Sequence, residues 1–322
     1  MLCHHIFGPV PSRRLGVSLG VDLLTHKICS MDCVYCECGK TTQQTLDRAE
    51  YVLFSRIQQE LDHYFRRHRD PDVITFSGSG EPTLNIHIGK VIQYIKQKKP
   101  DIPVAVLTNA SLLHDPDVFT ALLAADIVIP SLDAVLVSTF KKMNNPHPDL
   151  DPEEILNGIE RFSKACHSYQ AYKGKLWLEI FVLPGFNDTR PDLDALRKAV
   201  LRIKPDRVQL NTLDRPGALP DILPASPEAL ESASRKLGID NCDILARVHP
   251  DTEAKINRKD VKAAILETIC RRPSTLEDLK KMINVETPVI HFYLKRLEKE
   301  NRIAGKKQAR GIFYQTLKVN PK

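Results

Sequence analysis

The sequence predicts an α/β protein with a parallel sheet of repeated β-α units, followed by a smaller α+β domain. Short apolar, β-branched segments alternate with longer amphipathic segments over most of the 322 residues, which is the pattern of β-α units. Polar side chains follow several apolar segments, and ligands bind at this carboxyl edge of parallel sheets. These two observations favour a partial (β/α)6 barrel, with a flat doubly wound sheet as the alternative.

Six strands and four helices account for most of this pattern. The strands are expected at residues 17–23, 73–77, 104–108, 127–132, 176–183 and 207–213, joined by right-handed helical crossovers. Apolar residues recur at helical spacing in residues 51–67, 86–98, 152–168 and 192–203.

Composition argues against a membrane-spanning or exported protein. Charged residues make up 27% of the chain, and no apolar run approaches the roughly 18 residues that a transmembrane helix needs. His4, His5 and Pro9 lie where a signal peptide would have an unbroken apolar segment. We therefore expect a cytoplasmic protein.

The C-terminal end of the chain is more basic than the rest. From residue 257 onward there are 16 Lys and Arg against 7 Asp and Glu, a net charge of +9, whereas the preceding residues sum to −3. A polar, unpatterned segment at residues 248–258 predicts a linker. We therefore divide the chain into a core domain at residues 1–247 and a small domain at residues 259–322.

The small domain is predicted to contain three helices and a hairpin. In order, these are a helix at residues 260–270, a second helix with the capping-box pair Thr275 and Asp278, a third helix at residues 287–300, and strands at residues 303–306 and 312–317 around a turn at residues 309–311. This arrangement resembles a winged helix-turn-helix domain.

Three cysteines on one short segment are the strongest functional signal. Cys29, Cys33 and Cys36 are spaced C-x3-C-x2-C after the first predicted strand, which puts three soft thiolates on one loop around a metal centre. A cubane cluster has four irons, so three cysteine ligands leave one iron open to another molecule. Cys38 lies close enough to make a closed four-thiolate zinc site the alternative.

This motif, with the aromatic Tyr35 before its third cysteine, resembles that of the radical SAM superfamily. The similarity extends over about residues 8–215. It implies a 4Fe-4S cluster held by the three cysteines, with S-adenosylmethionine bound at the open iron.

The resemblance also implies where S-adenosylmethionine binds. Residues 77–82 resemble the segment that holds its methionine end: Gly78 and Gly80 allow a close backbone approach, and Glu81 offers a carboxylate to the ammonium group. Residues at later strand ends are carried over for the ribose, carboxylate and adenine: Asn109, Ser131, Asp133 and Asn211. Helix capping is the alternative for the first and third of these.

The activity implied is reductive cleavage of S-adenosylmethionine, followed by hydrogen abstraction from a substrate by the 5′-deoxyadenosyl radical. A low-potential electron donor of the flavodoxin or ferredoxin type is then required. Two other functions stay open: a redox-sensing regulator that binds DNA without turnover, and an activase or maturase that acts on a protein partner. The segment around Gly80 and Glu81 favours the enzyme over the sensor, because a sensor needs no complete cofactor pocket.

Further motifs resemble the branch of the superfamily that includes wyosine-forming, tRNA-modifying enzymes. They are residues 8–16, 131–134 and 181–187. Within the first, Arg13 and Arg14 are expected to bind phosphate or carboxylate, or else to pair with acids. Wyosine-forming enzymes carry further N-terminal cysteines for a second cluster, whereas Cys3 is the one cysteine before the motif here, so no second cluster is expected.

The basic residues of the small domain predict nucleic acid as the partner. The third helix and the hairpin carry Lys295, Arg296, Lys299, Lys306, Lys307 and Arg310. Such a set can track the phosphates of a nucleic acid. Winged helices also serve in dimerisation and protein docking, so a protein partner is the alternative.

Overall fold

A sheet of eight strands organises most of the chain in the computed structural model, which describes residues 5–25, 27–168, 174–219, 221–245, 261–283, 285–308 and 310–317. The strands of the chain are β1 (Ile6–Ser12), β2 (Gly16–Val21), β3 (Ile28–Cys29), β4 (Gln43–Gln44), β5 (Val73–Phe76), β6 (Val104–Thr108), β7 (Ile127–Pro130), β8 (Lys175–Phe181), β9 (Arg207–Asn211), β10 (Cys242–Ile244), β11 (Ser274–Thr275), β12 (Ile303–Gln308) and β13 (Gly311–Thr316). The helices are α1 (Phe54–Arg67), α2 (Ile88–Lys98), α3 (Pro116–Leu122), α4 (Val137–Asn144), α5 (Pro152–Ser168), α6 (Arg190–Ile203), α7 (Pro227–Leu237), α8 (Val261–Arg271), α9 (Leu276–Ile283) and α10 (Thr287–Lys299).

The eight strands follow the order β1-β2-β5-β6-β7-β8-β9-β10. From β2 to β10 every neighbouring pair is parallel, and β1 pairs with β2 in the antiparallel direction. Helices lie between successive parallel strands in the chain, because a parallel pair needs a long crossover. The predicted α/β class with a parallel sheet is confirmed, and β1 makes the sheet mixed.

The six predicted strands are all present, with ends that differ by at most two residues. The sequence pattern misses two edge strands, β1 and β10. Gly8, Pro9 and Pro11 in β1 are typical of loops, and proline is tolerated in strands mainly at a sheet edge. β10 is three residues long, too short for its alternation to be recognised.

The two faces of the sheet differ in polarity. Leu19, Ile74 and Val106 are fully buried in the main hydrophobic cluster, together with side chains of α1 and α2. Ser18 precedes Leu19 and Thr75 follows Ile74, so both side chains lie on the opposite face of the sheet. Their hydroxyl oxygens are 2.7 Å apart. The core thus lies between the sheet and the helices, and the inner face is polar.

The sheet is strongly curved. Arg14, in the turn between β1 and β2, donates through Nη1 to the carboxylate of Glu179 in β8 and to Oε1 of Gln209 in β9. Four strand spacings separate β2 from β8, which is roughly 19 Å across a flat sheet and beyond the reach of one side chain. The contact therefore requires the ends of the sheet to approach each other. For Arg14, the structure has the acid pairing that the sequence left as an alternative.

Residues 261–317, here called the C-terminal unit, have their own hydrophobic cluster. It joins α8, α9 and α10 to a three-stranded sheet of order β11-β13-β12. Among the described residues, this cluster and the main one have no member in common. The predicted linker at residues 248–258 and Ala309 of the predicted turn lie outside the described residues.

The capping box predicted for α9 is confirmed. The backbone N–H of Thr275 donates to Oδ2 of Asp278 (3.0 Å), and the N–H of Asp278 donates to Oγ1 of Thr275 (3.2 Å). The sequence pattern misses the short strand β11, which contains Thr275 itself. No helix among the described residues has the length and apolarity needed to cross a lipid bilayer.

An ionic network docks the C-terminal unit on the core. Arg215 follows β9 and donates to Oδ2 of Asp278 (2.7 Å) and to the carbonyl oxygen of Pro273 (2.8 Å). Arg310 donates to Oδ1 of Asp278 (2.7 Å) and to the carbonyl oxygen of Asp214 (2.9 Å). Arg310 was expected to contact phosphates, but its guanidinium is instead held within these ion pairs.

Candidate functional site

The cysteine motif forms a folded loop at the carboxyl edge of the sheet. The N–H of Cys36 donates to the carbonyl of Cys33 (3.1 Å), and the N–H of Gly39 donates to the carbonyl of Cys36 (3.0 Å). At the start of the motif, β3 pairs with β4, and the N–H of Thr45 donates to the carbonyl of Cys29 (3.0 Å). These bonds fix the backbone from which all three thiols project.

Side-chain amides approach two of the three sulfur atoms. Nδ2 of Asn109, just after β6, lies 3.5 Å from Sγ of Cys29, and Nδ2 of Asn144, at the end of α4, lies 3.5 Å from Sγ of Cys33. Amide donors at this distance stabilise thiolates, and hydrogen bonds to sulfur tune iron-sulfur clusters. Oδ1 of Asn144 is buried without a hydrogen-bond partner among the described residues.

The protonation of the thiols differs along the loop. Burial raises the pKa of Cys29 to about 12 and also raises the pKa of Cys33. The hydrogen bond with Cys38 and the nearby ammonium of Lys27 outweigh burial at Cys36, so its pKa falls to about 6. Lys27 is 8% exposed and thus places a buried positive charge beside the sulfur atom of Cys36.

Cys38 does not behave as an equivalent fourth member of the set. Its thiol donates to the carbonyl oxygen of Gly78 (3.3 Å), on the loop after β5. Within the part of the chain that the structure describes, no group of three or more His, Cys, Asp or Glu side chains is arranged to hold a single metal ion. Three partly buried thiols on one loop, two of them beside side-chain amides, fit the ligand set of a cluster.

Glu81 is buried and already hydrogen-bonded inside the protein. Its Oε1 accepts from the hydroxyl (2.6 Å) and the N–H (3.1 Å) of Thr83 and from the hydroxyl of Thr108 (2.7 Å). Its Oε2 accepts from the N–H of Asn109 (2.7 Å). Burial raises its pKa despite these bonds. Through these bonds the carboxylate joins the loop after β5 to the end of β6.

The two glycines before Glu81 allow close packing within the protein. A Cβ atom on Gly80 would lie 1.7 Å from the carbonyl oxygen of Ile28, beside the first cysteine. Gly78 has a φ of +154°, and a Cβ there would lie 2.3 Å from Cγ of Asp22. The approach expected toward a ligand is thus an approach toward the segment that leads into the cysteine loop.

Asp133 is hydrogen-bonded to the cysteine loop, α4 and β8. Its carboxylate accepts from the hydroxyl of Tyr35, from Nδ2 of Asn144 (3.1 Å) and from the N–H of Phe181 (2.8 Å). The rings of Tyr35 and Phe181 stack at 4.1 Å. Burial raises the pKa of Asp133 to about 6. Its side chain does not cap α4, whose N-cap residue is Leu136.

The structure brings together some of the predicted site residues and separates others. A small cavity of about 60 Å³ is lined by Cys33, Tyr35, Asn109, Ser131 and Asp133. Gly78, Gly80, Glu81 and Asn211 do not line it. Asn211 is 7% exposed and its Oδ1 accepts from the N–H of Thr212 (3.0 Å).

Sequence reasoning missed three residues of this site. Asn144 is far from the cysteine motif in sequence. Lys27 lies two residues before Cys29 but belongs to no recognised motif, so no local pattern indicates either residue. Glu37 was within reach because it stands between two cysteines. Its Oε1 accepts from the N–H groups of Asp214 and Arg215, both at 3.1 Å, which ties the loop after β9 to the cysteine loop.

The sequence profile described as the Radical SAM superfamily matches residues 23–210 of this chain, more than half of its length. The chain belongs to the Radical SAM superfamily. The matched region includes the cysteine loop and every residue predicted to bind the cluster or S-adenosylmethionine except Asn211. Radical SAM proteins are enzymes that use a 4Fe-4S cluster and S-adenosylmethionine, so both are cofactors of this chain.

Curated relatives align with nearly the whole radical SAM chain. A protein named GTPase Obg from Brachyspira hyodysenteriae is 37% identical over 300 residues, which are 92% of this chain but 43% of that protein. The chain therefore spans less than half the length of that relative. UPF0026 proteins of Helicobacter pylori strain J99 and Methanocaldococcus jannaschii are 34% and 28% identical, each over 96% of this chain, and over 96% and 94% of their own lengths.

A solved structure shares the fold. A radical SAM methyltransferase from Sphaerobacter thermophilus aligns with a TM-score of 0.51 and 16% identity, over 70% of this chain and 65% of that chain. At this identity the likeness shows the α/β fold alone.

Proposed function

We propose that this radical SAM enzyme holds its 4Fe-4S cluster on Cys29, Cys33 and Cys36 and acts on a nucleotide residue in RNA. The observation that carries the first part is the pair of side-chain amides directed at two sulfur atoms of the motif. When bound, the cluster supplies one electron to S-adenosylmethionine, whose cleavage yields the 5′-deoxyadenosyl radical that takes hydrogen from the substrate.

The surrounding residues position the ligands of the cluster. Asn109 and Asn144 donate to the sulfur atoms, and Glu81 fixes the backbone of Asn109 through Oε2. Asp133 holds Tyr35 and Asn144 in place. We assign these two acids to positioning, because their oxygens already accept hydrogen bonds from the protein.

S-adenosylmethionine is proposed to lie along the carboxyl edge of the sheet. Asn109 and Ser131 present polar groups in the small cavity beside Cys33, and Asn211 ends β9 at the same edge. Gly78 and Gly80 contribute by letting the loop after β5 pack on the cysteine loop. The bond from Arg14 to the opposite end of the sheet supports a partial barrel around this edge.

RNA is proposed as the partner of the C-terminal unit, which we interpret as a winged helix. Lys295, Lys299, Lys306 and Lys307 of α10 and β12 are exposed, and Phe292 of α10 is 59% exposed. Exposed cations bind phosphates, and an exposed aromatic ring can stack on a base. The wyosine-like motifs of the core make tRNA the class of RNA to test first, and a flavodoxin or ferredoxin is the proposed electron donor.

Cleavage of S-adenosylmethionine tests the ligand assignment. The anaerobically reconstituted full-length protein, reduced with a low-potential chemical reductant, is expected to form 5′-deoxyadenosine. Cys33→Ala should reduce product to the level of reductant alone, because the ligand set is then incomplete. Cys242→Ala in β10 is the control and should retain product. Product formation by Cys33→Ala at the rate of the wild type would refute the assignment.

Binding to a tRNA transcript across a salt series tests the partner. The logarithm of the binding constant should fall linearly with the logarithm of salt concentration, with a slope of about 0.7 to 0.9 per phosphate contact. A double variant, Lys295→Glu with Lys299→Glu, should bind more weakly and show a shallower slope. Lys198→Glu with Lys236→Glu, an equal charge change on the core, is the control. Salt-independent binding, or equal losses in both variants, would argue for protein docking instead.

A further inference from the structure

A larger cavity of about 500 Å³ lies on the inner face of the sheet. Its walls include Ser18 and Thr75 of the sheet, Arg13 of the β1–β2 turn, Glu37 of the cysteine loop and Arg272 of the C-terminal unit. Cavities of this size hold small molecules or a single residue of a larger one. The cavity is therefore shared by the core and the C-terminal unit, and it borders the cysteine loop.

Many charged side chains contribute to the lining of this cavity. Among the described residues, six cationic and four anionic side chains contribute to it. Three of the cations are neutralised by protein groups: Arg14 by Glu179, Arg215 by Asp278, and Arg310 by Asp214 and Asp278. These contacts are direct ion pairs.

Two arginines of the lining have no such neutralisation. Within the ranges that the structure describes, the side chains of Arg13 and Arg272 make no hydrogen bond or ion pair. Arg272 follows α8 directly and is partly buried. The neighbouring guanidinium of Arg215, followed by burial, lowers the pKa of Arg272 to about 10. Glu37, Cys38 and Asp278 offset this effect in part, without a direct ion pair to Arg272. An anion between the two walls would add the missing direct partner for this partly buried cation.

We propose that Arg272 and Arg13 bind an oxyanion of the substrate, a phosphate or a carboxylate, inside this cavity. Guanidinium groups suit both, because their planar donors match the two oxygens of either group. The assignment rests on the proposed function, since it takes the cavity as the substrate chamber of the radical SAM enzyme. One wall of the chamber belongs to the C-terminal unit, so that unit contributes to substrate binding.

The oxyanion is assigned to the substrate because the cofactor residues lie elsewhere. Asn109, Ser131 and Asp133 line the smaller cavity beside Cys33, and none of them lines the larger one. The larger cavity meets the cysteine loop at Glu37, next to the third cysteine. This placement puts the chamber beside the cysteine loop while leaving the proposed cofactor residues free.

Anion titration of the reconstituted full-length protein tests the proposal without turnover. Inorganic phosphate and acetate are titrated in separate arms by calorimetry, with chloride adjusted to constant ionic strength. We expect one of the two to bind the wild type, which identifies the oxyanion, and Arg272→Gln and Arg13→Gln each to weaken it by about tenfold. Lys280→Gln, an exposed cation of α9, is the matched control and should bind like the wild type.

Three outcomes would overturn the site. The first is that neither anion binds the wild type, and the second is that both arginine variants bind with unchanged affinity. The third is that S-adenosylmethionine displaces the bound anion, because the site would then belong to the cofactor. Formation of 5′-deoxyadenosine by the wild type is measured separately. Its absence alongside intact anion binding would count against the proposed function and leave the oxyanion site standing.

Discussion

Gly80 shows how a single missing side chain shapes the site. Its Cα faces the carbonyl oxygen of Ile28 so closely that a Cβ would lie 1.7 Å away. The atom in the way belongs to the backbone, so no side-chain rotation can make room. The position of the cysteine loop therefore depends on the absence of a methyl group on the loop after β5.

Gly80→Ala is expected to displace the cysteine loop. Overpacking against backbone should lower the free energy of unfolding by about 1 to 3 kcal/mol or more, and the iron content after reconstitution should fall. The control is Gly185→Ala, where a Cβ meets open space and the φ of +77° adds a strain of about 1 to 2 kcal/mol. Urea denaturation and iron analysis measure both effects. Wild-type iron content in Gly80→Ala would contradict the packing argument.

For individual residues, the sequence predicted where they lie in the sheet but not which groups their side chains contact. The cysteine motif, Glu81 and Asp133 all lie at or near the carboxyl edge, as predicted from strand ends. The direction of each carboxylate was not predictable, because it depends on hydroxyl and amide donors from β6, α4 and the cysteine loop. Thr108 and Asn144, which bind these carboxylates, are 27 and 11 residues away in the chain and carry no motif.

Elements with a clear period were predicted well, and short or edge elements were not. The strand at Val104–Thr108 and the helix at Pro152–Ser168 have the predicted bounds, because both are buried segments with a regular pattern. The helices α3 and α4 have only 7 and 8 residues and offer too few turns for a period. β1 was missed because its prolines mask an edge strand.

At the scale of the whole molecule, ion pairs connect the core to the C-terminal unit. Asp278 is the centre of this junction, because Arg215 and Arg310 both contact its carboxylate. Its burial opposes ionisation, yet the two guanidinium groups and the capping N–H lower its pKa to about 2. This carboxylate therefore stays charged at all physiological pH values, beside the further junction contacts of Arg310 with Asp214 and of Arg271 with Asp22.

Asp278→Asn is expected to loosen the C-terminal unit at neutral pH. The folded-state pKa lies below the unfolded one, so the carboxylate stabilises the folded state above about pH 4, by about 2 kcal/mol from the shift. This contribution is lost as pH falls from about 4 toward 2, where the wild type and the variant should converge. Urea denaturation at several pH values and hydrogen exchange of residues 261–317 measure the effect.

The control for this prediction is an exposed ion pair of the core. Asp243 pairs with Arg207 at 3.2 Å, with half of its side chain exposed, and such pairs contribute less than about 1 kcal/mol. Asp243→Asn should therefore leave hydrogen exchange of the C-terminal unit unchanged. Equal exchange in Asp278→Asn and the wild type at neutral pH would show that the junction does not depend on this charge.

Glu37 connects the cysteine loop to the segment that contacts the C-terminal unit. It lies between the third motif cysteine and Cys38. Its carboxylate accepts hydrogen bonds from the backbone N–H groups of Asp214 and Arg215, and the guanidinium of Arg215 donates to Asp278 of the C-terminal unit. Oxidative loss of the proposed cluster would disturb the cysteine loop. It would thereby weaken the hydrogen bonds from the backbone of Asp214 and Arg215 to Glu37, which help to hold the C-terminal unit on the core. In the proposed enzyme, loss of the cluster would then also weaken substrate binding, because one wall of the proposed chamber belongs to the C-terminal unit.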